Sequence, residues 1–171
     1  MKIAKVRDVK TPVRGTDKSA GIDFFVPSDF RKVILPHCDT LIPSGIKVKV
    51  PEGYMLMAAE KSGVVTSRQA VLQTGRKPKE GAYDTIVTLG AKIVDEDYQG
   101  EVHIHLINVG NRAVSIEPNT KIAQFILVPV SYDGIEEVPE NELYSEVSDR
   151  GDGAFGSTDK NDIDPLESED L

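Results

Sequence analysis

Apolar and polar side chains alternate along much of this chain. Ile3 to Val9 alternates, and Thr40 to Val50 ends with Ile46, Val48 and Val50 separated by Lys47 and Lys49. In a strand that spacing puts the apolar residues on one face. Glu101 to Val109 repeats it, with Val102, Ile104 and Leu106 set against His103 and His105. Tyr54 to Ala59 reads as a short apolar strand, and Ile122 to Val130 as a buried one. The turn signals PSG, PEG, YQG, NVGN, EPNT and YDG separate these runs. Short strands with frequent turns predict an all-β sandwich, barrel or jelly roll. Gly63 to Gln73 is a weakly patterned helix candidate, and no internal repeat is found.

Two stretches break the rhythm. Gly75 to Tyr83, GRKPKEGAY, is polar, basic and rich in turn formers. It reads as an exposed loop or long hairpin tip before the apolar Thr85–Leu89. Asp159 to Leu171 contains six acidic residues and one lysine, so it holds −5 of the chain's −8. With no aromatic residue and little to bury, it reads as a disordered acidic tail, the alternative being a short docked helix. The expected division is a β-rich core at 1–147, a glycine-rich arm at 148–158 and the tail at 159–171.

Composition narrows the function. At 171 residues, 39% hydrophobic and 28% charged, the chain suits one globular domain with a tail. Its net charge argues against a protein that mainly neutralises a nucleic-acid polymer. No apolar run approaches the roughly 18 residues of a membrane span, and MKIAKVRDVK has no signal-peptide core. The single Cys38 excludes an intrachain disulfide framework and a cysteine-rich zinc site. The expectation is a soluble, cytoplasmic chain.

Three segments carry candidate chemistry. Asp95, Glu96 and Asp97 form an acidic run before Gly100, read either as a solvated turn or as a general base or metal site. Arg150 to Thr158, RGDGAFGST, combines backbone freedom, two hydroxyls, a guanidinium and an isolated Phe155. Those are the parts of a phosphate cradle with a stacking aromatic, or of a plain linker. Lys61-Ser62-Gly63 suits a phosphate or an ordinary turn. His37, His103 and His105 are read as solvent-facing strand residues, not a zinc site.

In order, five segments resemble the motifs of the trimeric dUTPase family: AGID at 20–23, AEKSG at 59–63, IVDEDYQG at 93–100, KIAQ at 121–124 and RGDGAFGST at 150–158. The resemblance spans roughly residues 1–158. It implies a distorted jelly-roll, or β-clip, subunit with a flexible C-terminal arm, assembled as a homotrimer with sites at subunit interfaces. It also implies Mg²⁺-dependent cleavage of dUTP to dUMP and pyrophosphate. By that likeness Asp95 activates the attacking water and Tyr98 packs under deoxyribose, excluding a 2′-hydroxyl. Asp23 helps organise magnesium through water. Lys61, Ser62, Gly63 and Gln124 lie near the phosphates. Phe155 covers the base when the arm closes, and Arg150, Gly156, Ser157 and Thr158 belong to that arm. A hairpin before Asp95 reads the uracil edge largely through backbone groups.

The chain departs from the family pattern at several positions. Glu60 stands where Pro is usual, Lys61 and Lys121 replace Arg, and Ala154 replaces Gly. In the base hairpin, Leu89 replaces Asn and Lys92 replaces Gly. A Lys92 ammonium turned inward would favour uracil, and one turned outward would do nothing. The alternatives are a pyrophosphatase or deaminase for another pyrimidine deoxynucleoside triphosphate, and a dUTPase-fold regulatory protein. A protein partner would use the 75–83 loop or the acidic tail.

Overall fold

In β9 (Glu101–Asn108) the side chains of Val102, Ile104 and Leu106 are buried at 1% exposure each, as the alternation requires. Opposite runs β5 (Asp39–Lys49), burying Ile42, Ile46 and Val48. Their register shifts between Pro43 and Lys47, where Pro43 lacks an amide for the ladder. β1 (Lys2–Lys5) flanks β5, and β7 (Val87–Leu89) flanks β9, giving a four-stranded sheet ordered β1-β5-β9-β7. This is a computed structural model describing residues 1–65, 87–149 and 151–152.

A second sheet runs β2-β3-β11-β6-β8. Its members are β2 (Val13–Arg14), β3 (Ile22–Phe25), β6 (Tyr54–Glu60), β8 (Ile93–Val94) and β11 (Lys121–Pro129). The small pair β4 (Lys32–Ile34) and β10 (Val114–Ile116) completes the strands. Phe24 of β3 and Phe125 of β11 meet at 4.4 Å between ring centroids, inside a core shared by both large sheets. The expected all-β, jelly-roll or β-clip class holds. β3 escaped the alternation rule because all four of its residues are buried.

The end of β9 is fastened by a buried amide. Asn108 Nδ2 donates to the carbonyls of Ile34, Leu35 and Arg112, and its Oδ1 accepts the Gly110 amide. His37 does not lie on a strand, as expected, but in the turn before β5, with φ of 57°. Of the expected helix at 63–73, α1 (Ser62–Val65) is described and begins one residue earlier. No described helix is long and apolar enough to cross a membrane.

The chain divides into two units, Met1–Tyr132 and Asp133–Leu171. The first carries all the described strands. In the second, Glu140–Glu142 form one 3-10 turn after Pro139. The 75–83 loop, the acidic tail and the arm residues Arg150, Phe155, Gly156, Ser157 and Thr158 lie outside the described residues.

Candidate active site

Strand register brings three of the sequence segments together. Gln124 of β11 is opposite Asp23 of β3 on one side and Ala59 of β6 on the other. The segments 20–23, 59–63 and 121–124 thus lie side by side. Gly21 makes room there: a Cβ would collide with the Gln124 side-chain amide and force it to shift. That amide donates to the Glu60 carbonyl at 2.9 Å.

Asp23 is buried, and each of its oxygens meets an ammonium. Lys61 Nζ donates to Oδ1 at 2.5 Å, and Lys121 Nζ lies 2.9 Å from Oδ2. Burial pushes the Asp23 carboxyl upward, but the hydrogen bonds and charges of Lys121 and Lys61 outweigh it and hold the group below its ordinary value. Two ammonium groups against one carboxylate leave a net positive centre, suited to a phosphate more than to a free cation. Ser62 and Gly63 follow at the start of α1, with Ser62 exposed.

The fourth segment is at the other end of β6. β8 pairs with it through Met57↔Ile93 and Leu56↔Val94, carrying Asp95 toward Met55. Asp95 and Tyr98 line one pocket of about 190 Å³ with Ala91, Ile93, Val94 and Phe125. Asp95 is exposed on the turn, and its carbonyl accepts the Tyr98 amide at 3.2 Å. The Tyr98 hydroxyl donates to the Glu101 carbonyl at 3.0 Å. Its ring folds back over Gly100, where a Cβ would strike the phenol.

The three consecutive acids are not equivalent. Glu96 accepts the Gly53 amide at 2.8 Å and the Tyr132 hydroxyl at 3.0 Å, so it ties the turn to the body. Asp95 faces the pocket, and Asp97 is exposed. From Met55 near the start of β6 to Lys61 just past its end is six residues, or roughly 20 Å at ~3.3 Å per residue. Within one chain, the Asp95 pocket and the Asp23–Lys61–Lys121 cluster therefore stand apart.

Sequence reasoning passed over two contributors. Lys121 is a second partner of Asp23. Glu60 anchors the hairpin that forms the pocket wall, with Lys92 donating to it at 2.7 Å. The available signal was that Glu60 and Lys92 are departures of opposite charge. Leu89 is buried in the core, so its side chain offers nothing to a ligand. His103 is exposed as expected, but His105 is half-buried and bonded to Asp39. Among the described residues no three His, Cys, Asp or Glu side chains gather into a metal-binding group.

A model of the dUTPase family matches residues 7–159. The deoxyuridine 5'-triphosphate nucleotidohydrolase of Fusobacterium nucleatum is 33% identical over 162 residues, covering 94% of this chain and 97% of that protein. The Fowlpox virus enzyme of the same name is 32% identical over 157 residues, covering 91% and 94%. In fold, the chain matches a Staphylococcus bacteriophage 80alpha dUTPase with dUPNHPP at a TM-score of 0.72 and 22% identity. That match covers 91% of this chain and 96% of the other. A mutant dUTPase from phage phi11 of S. aureus, which coordinates a structural Mg(II) ion, matches at 0.65 and 20% identity, covering 83% and 98%.

Proposed function

The chain belongs to the dUTPase family, and on that premise we propose that it hydrolyses dUTP to dUMP and pyrophosphate by attack of an Asp95-activated water. The observation that carries this reading is the shared pocket of Asp95 and Tyr98. It joins an exposed carboxylate to an aromatic ring on one turn. Tyr98, 44% exposed with its hydroxyl tied back, presents a ring face to the sugar.

Asp95 takes a proton from water as the water oxygen bonds to the α-phosphorus. The bond from that phosphorus to the α,β-bridging oxygen breaks, and pyrophosphate leaves with the bond's electron pair. The proton passes from Asp95 to solvent. Positioning and charge neutralisation supply most of the acceleration in such transfers. Lys61, Ser62, Gly63 and Gln124 supply positive charge and donors for the phosphates. Arg150, Gly156, Ser157 and Thr158 add donors from the arm, and Phe155 stacks on the base.

Magnesium enters this scheme as part of the substrate, carried by the phosphates. Both Asp23 oxygens already face ammonium groups, which suits a contact through water and not direct ligation. When bound, the ion would supply positive charge to the phosphates, beside Asp23.

The roughly 20 Å between the two clusters supports a site completed by another copy of the chain, in a homotrimer. The test of the function is a mixture of deoxynucleoside triphosphates with Mg²⁺, assayed for pyrophosphate. We expect dUTP to be consumed with one pyrophosphate released per molecule. A higher kcat/KM for dCTP than for dUTP would overturn the substrate assignment.

A further inference from the structure

The hairpin from Leu89 to Val94, whose Ala91–Val94 leg lines the pocket, rests on very little ladder. β8 has two residues and β7 three, and short hairpins are marginal by themselves. What fastens the wall is a carboxylate outside it. Oε1 of Glu60, at the end of β6, accepts from both legs of the hairpin. The Thr88 hydroxyl donates at 3.1 Å, the Leu89 amide at 3.3 Å and the Lys92 ammonium at 2.7 Å. The opposite side is held by His105 of β9. Its carbonyl accepts the Gly90 amide at 2.9 Å, and its Nδ1 accepts the Ala91 amide at 3.2 Å. The hairpin tip is thus bracketed between one strand of each large sheet.

We propose that Glu60, acting with Lys92, is the positioning residue that fixes this hairpin and through it the pocket's preference among pyrimidine bases. The proposal rests on the reading that the pocket takes the nucleoside. A base edge read by backbone groups is discriminated only if those groups are held to tenths of an ångström. Three donors converging on one partly buried oxygen, one of them an ammonium, do that better than a solvated ion pair. The Lys92 hydrogen bond, working against partial burial and aided by the Leu89 amide and Thr88 hydroxyl, lowers the Glu60 carboxyl to about 2, so the anchor stays ionised. Lys92 lines the pocket, but its ammonium is paired with Glu60 at 2.7 Å, so its charge is offset at the wall. The two departures from the family pattern are one device.

The test compares Glu60→Ala, Glu60→Gln, Lys92→Ala and the double Ala variant in KM and kcat for dUTP and dCTP. We expect Glu60→Ala to raise KM for dUTP about tenfold, as for loss of a charge-assisted hydrogen bond, with kcat changed less than about twofold. The dUTP-over-dCTP ratio should fall with it. Glu60→Gln should recover part of the loss, and the double variant should lose less than the two single variants combined. Lys92 is 41% exposed, so Lys92→Ala keeps the test usable if Glu60→Ala fails to fold. Ala91→Phe, which fills the pocket, separates the two readings. If it raises KM while Glu60→Ala and Lys92→Ala leave KM and base preference unchanged, the positioning role is overturned. If it leaves KM unchanged, the pocket assignment itself falls.

Discussion

At one end of β6 the functional side chains are packed against each other, and at the other they stand on an open turn. Asp23 is buried between Lys61 and Lys121, with Gln124 laid over Gly21. Asp95 and Tyr98 line a shallow pocket whose wall is a short hairpin. The packed end has its charges in place before any ligand arrives, which avoids reorganising them at the moment of reaction. In the proposed reaction the open end admits a water and a nucleoside, and Asp95 is accordingly exposed. The positive centre is built by strand pairing within one chain, whereas the centre proposed to react is completed by what binds to it.

Asp95→Asn breaks the contrast most severely. It should lower kcat by about 100- to 10,000-fold, the range of a general base. Affinity for a non-hydrolysable dUTP analogue should change far less. Folding stability should stay within about 0.5 kcal/mol, as for exposed substitutions. A kcat near that of the unmodified chain would place the base elsewhere.

Mixing sharpens the spatial side of the comparison. Asp95→Asn and Lys61→Ala chains, each nearly inactive, should regain activity when unfolded together and refolded as a mixture. If each site takes Asp95 from one chain and Lys61 from another, about a quarter of the sites in a random equal mixture are intact. No recovery in mixed oligomers would mean that one chain supplies both groups.

Asp23→Asn should act on stability where Asp95→Asn does not. Removing the buried partner of two ammonium groups should cost about 3 kcal/mol in a denaturant titration, the lower end for a broken buried pair since both lysines reach solvent. The smallest effect is on pH. Asp23 and Glu60 are both held below their ordinary values of 3.8 and 4.5. Their contribution is therefore complete above those values and lost as pH falls, for Glu60 between about 4.5 and about 2. Melting temperature should fall with acid across that window, and less steeply in Asp23→Asn and Glu60→Gln.

Alternation locates β5 and β9, because a strand with one face in the core must place apolar residues at every second position, and continuous apolar runs locate β6 and β11. Alternation misses β3, buried along its whole length, and the two-residue β8, too short to show a period. The order of the motif segments names the family, since residue types at set spacings are carried by the chain itself. Which segments meet is a property of pairing: Gln124 between Asp23 and Ala59 follows from β11 lying between β3 and β6, strands far apart in sequence. The meaning of single charges is also tertiary. Glu96 and Asp95 are neighbours of the same kind, yet one ties down the turn and the other faces the pocket. Lys92, ambiguous as a residue, becomes half of an anchor once β6 ends beside it, because an ion pair depends on distance through space and not along the chain.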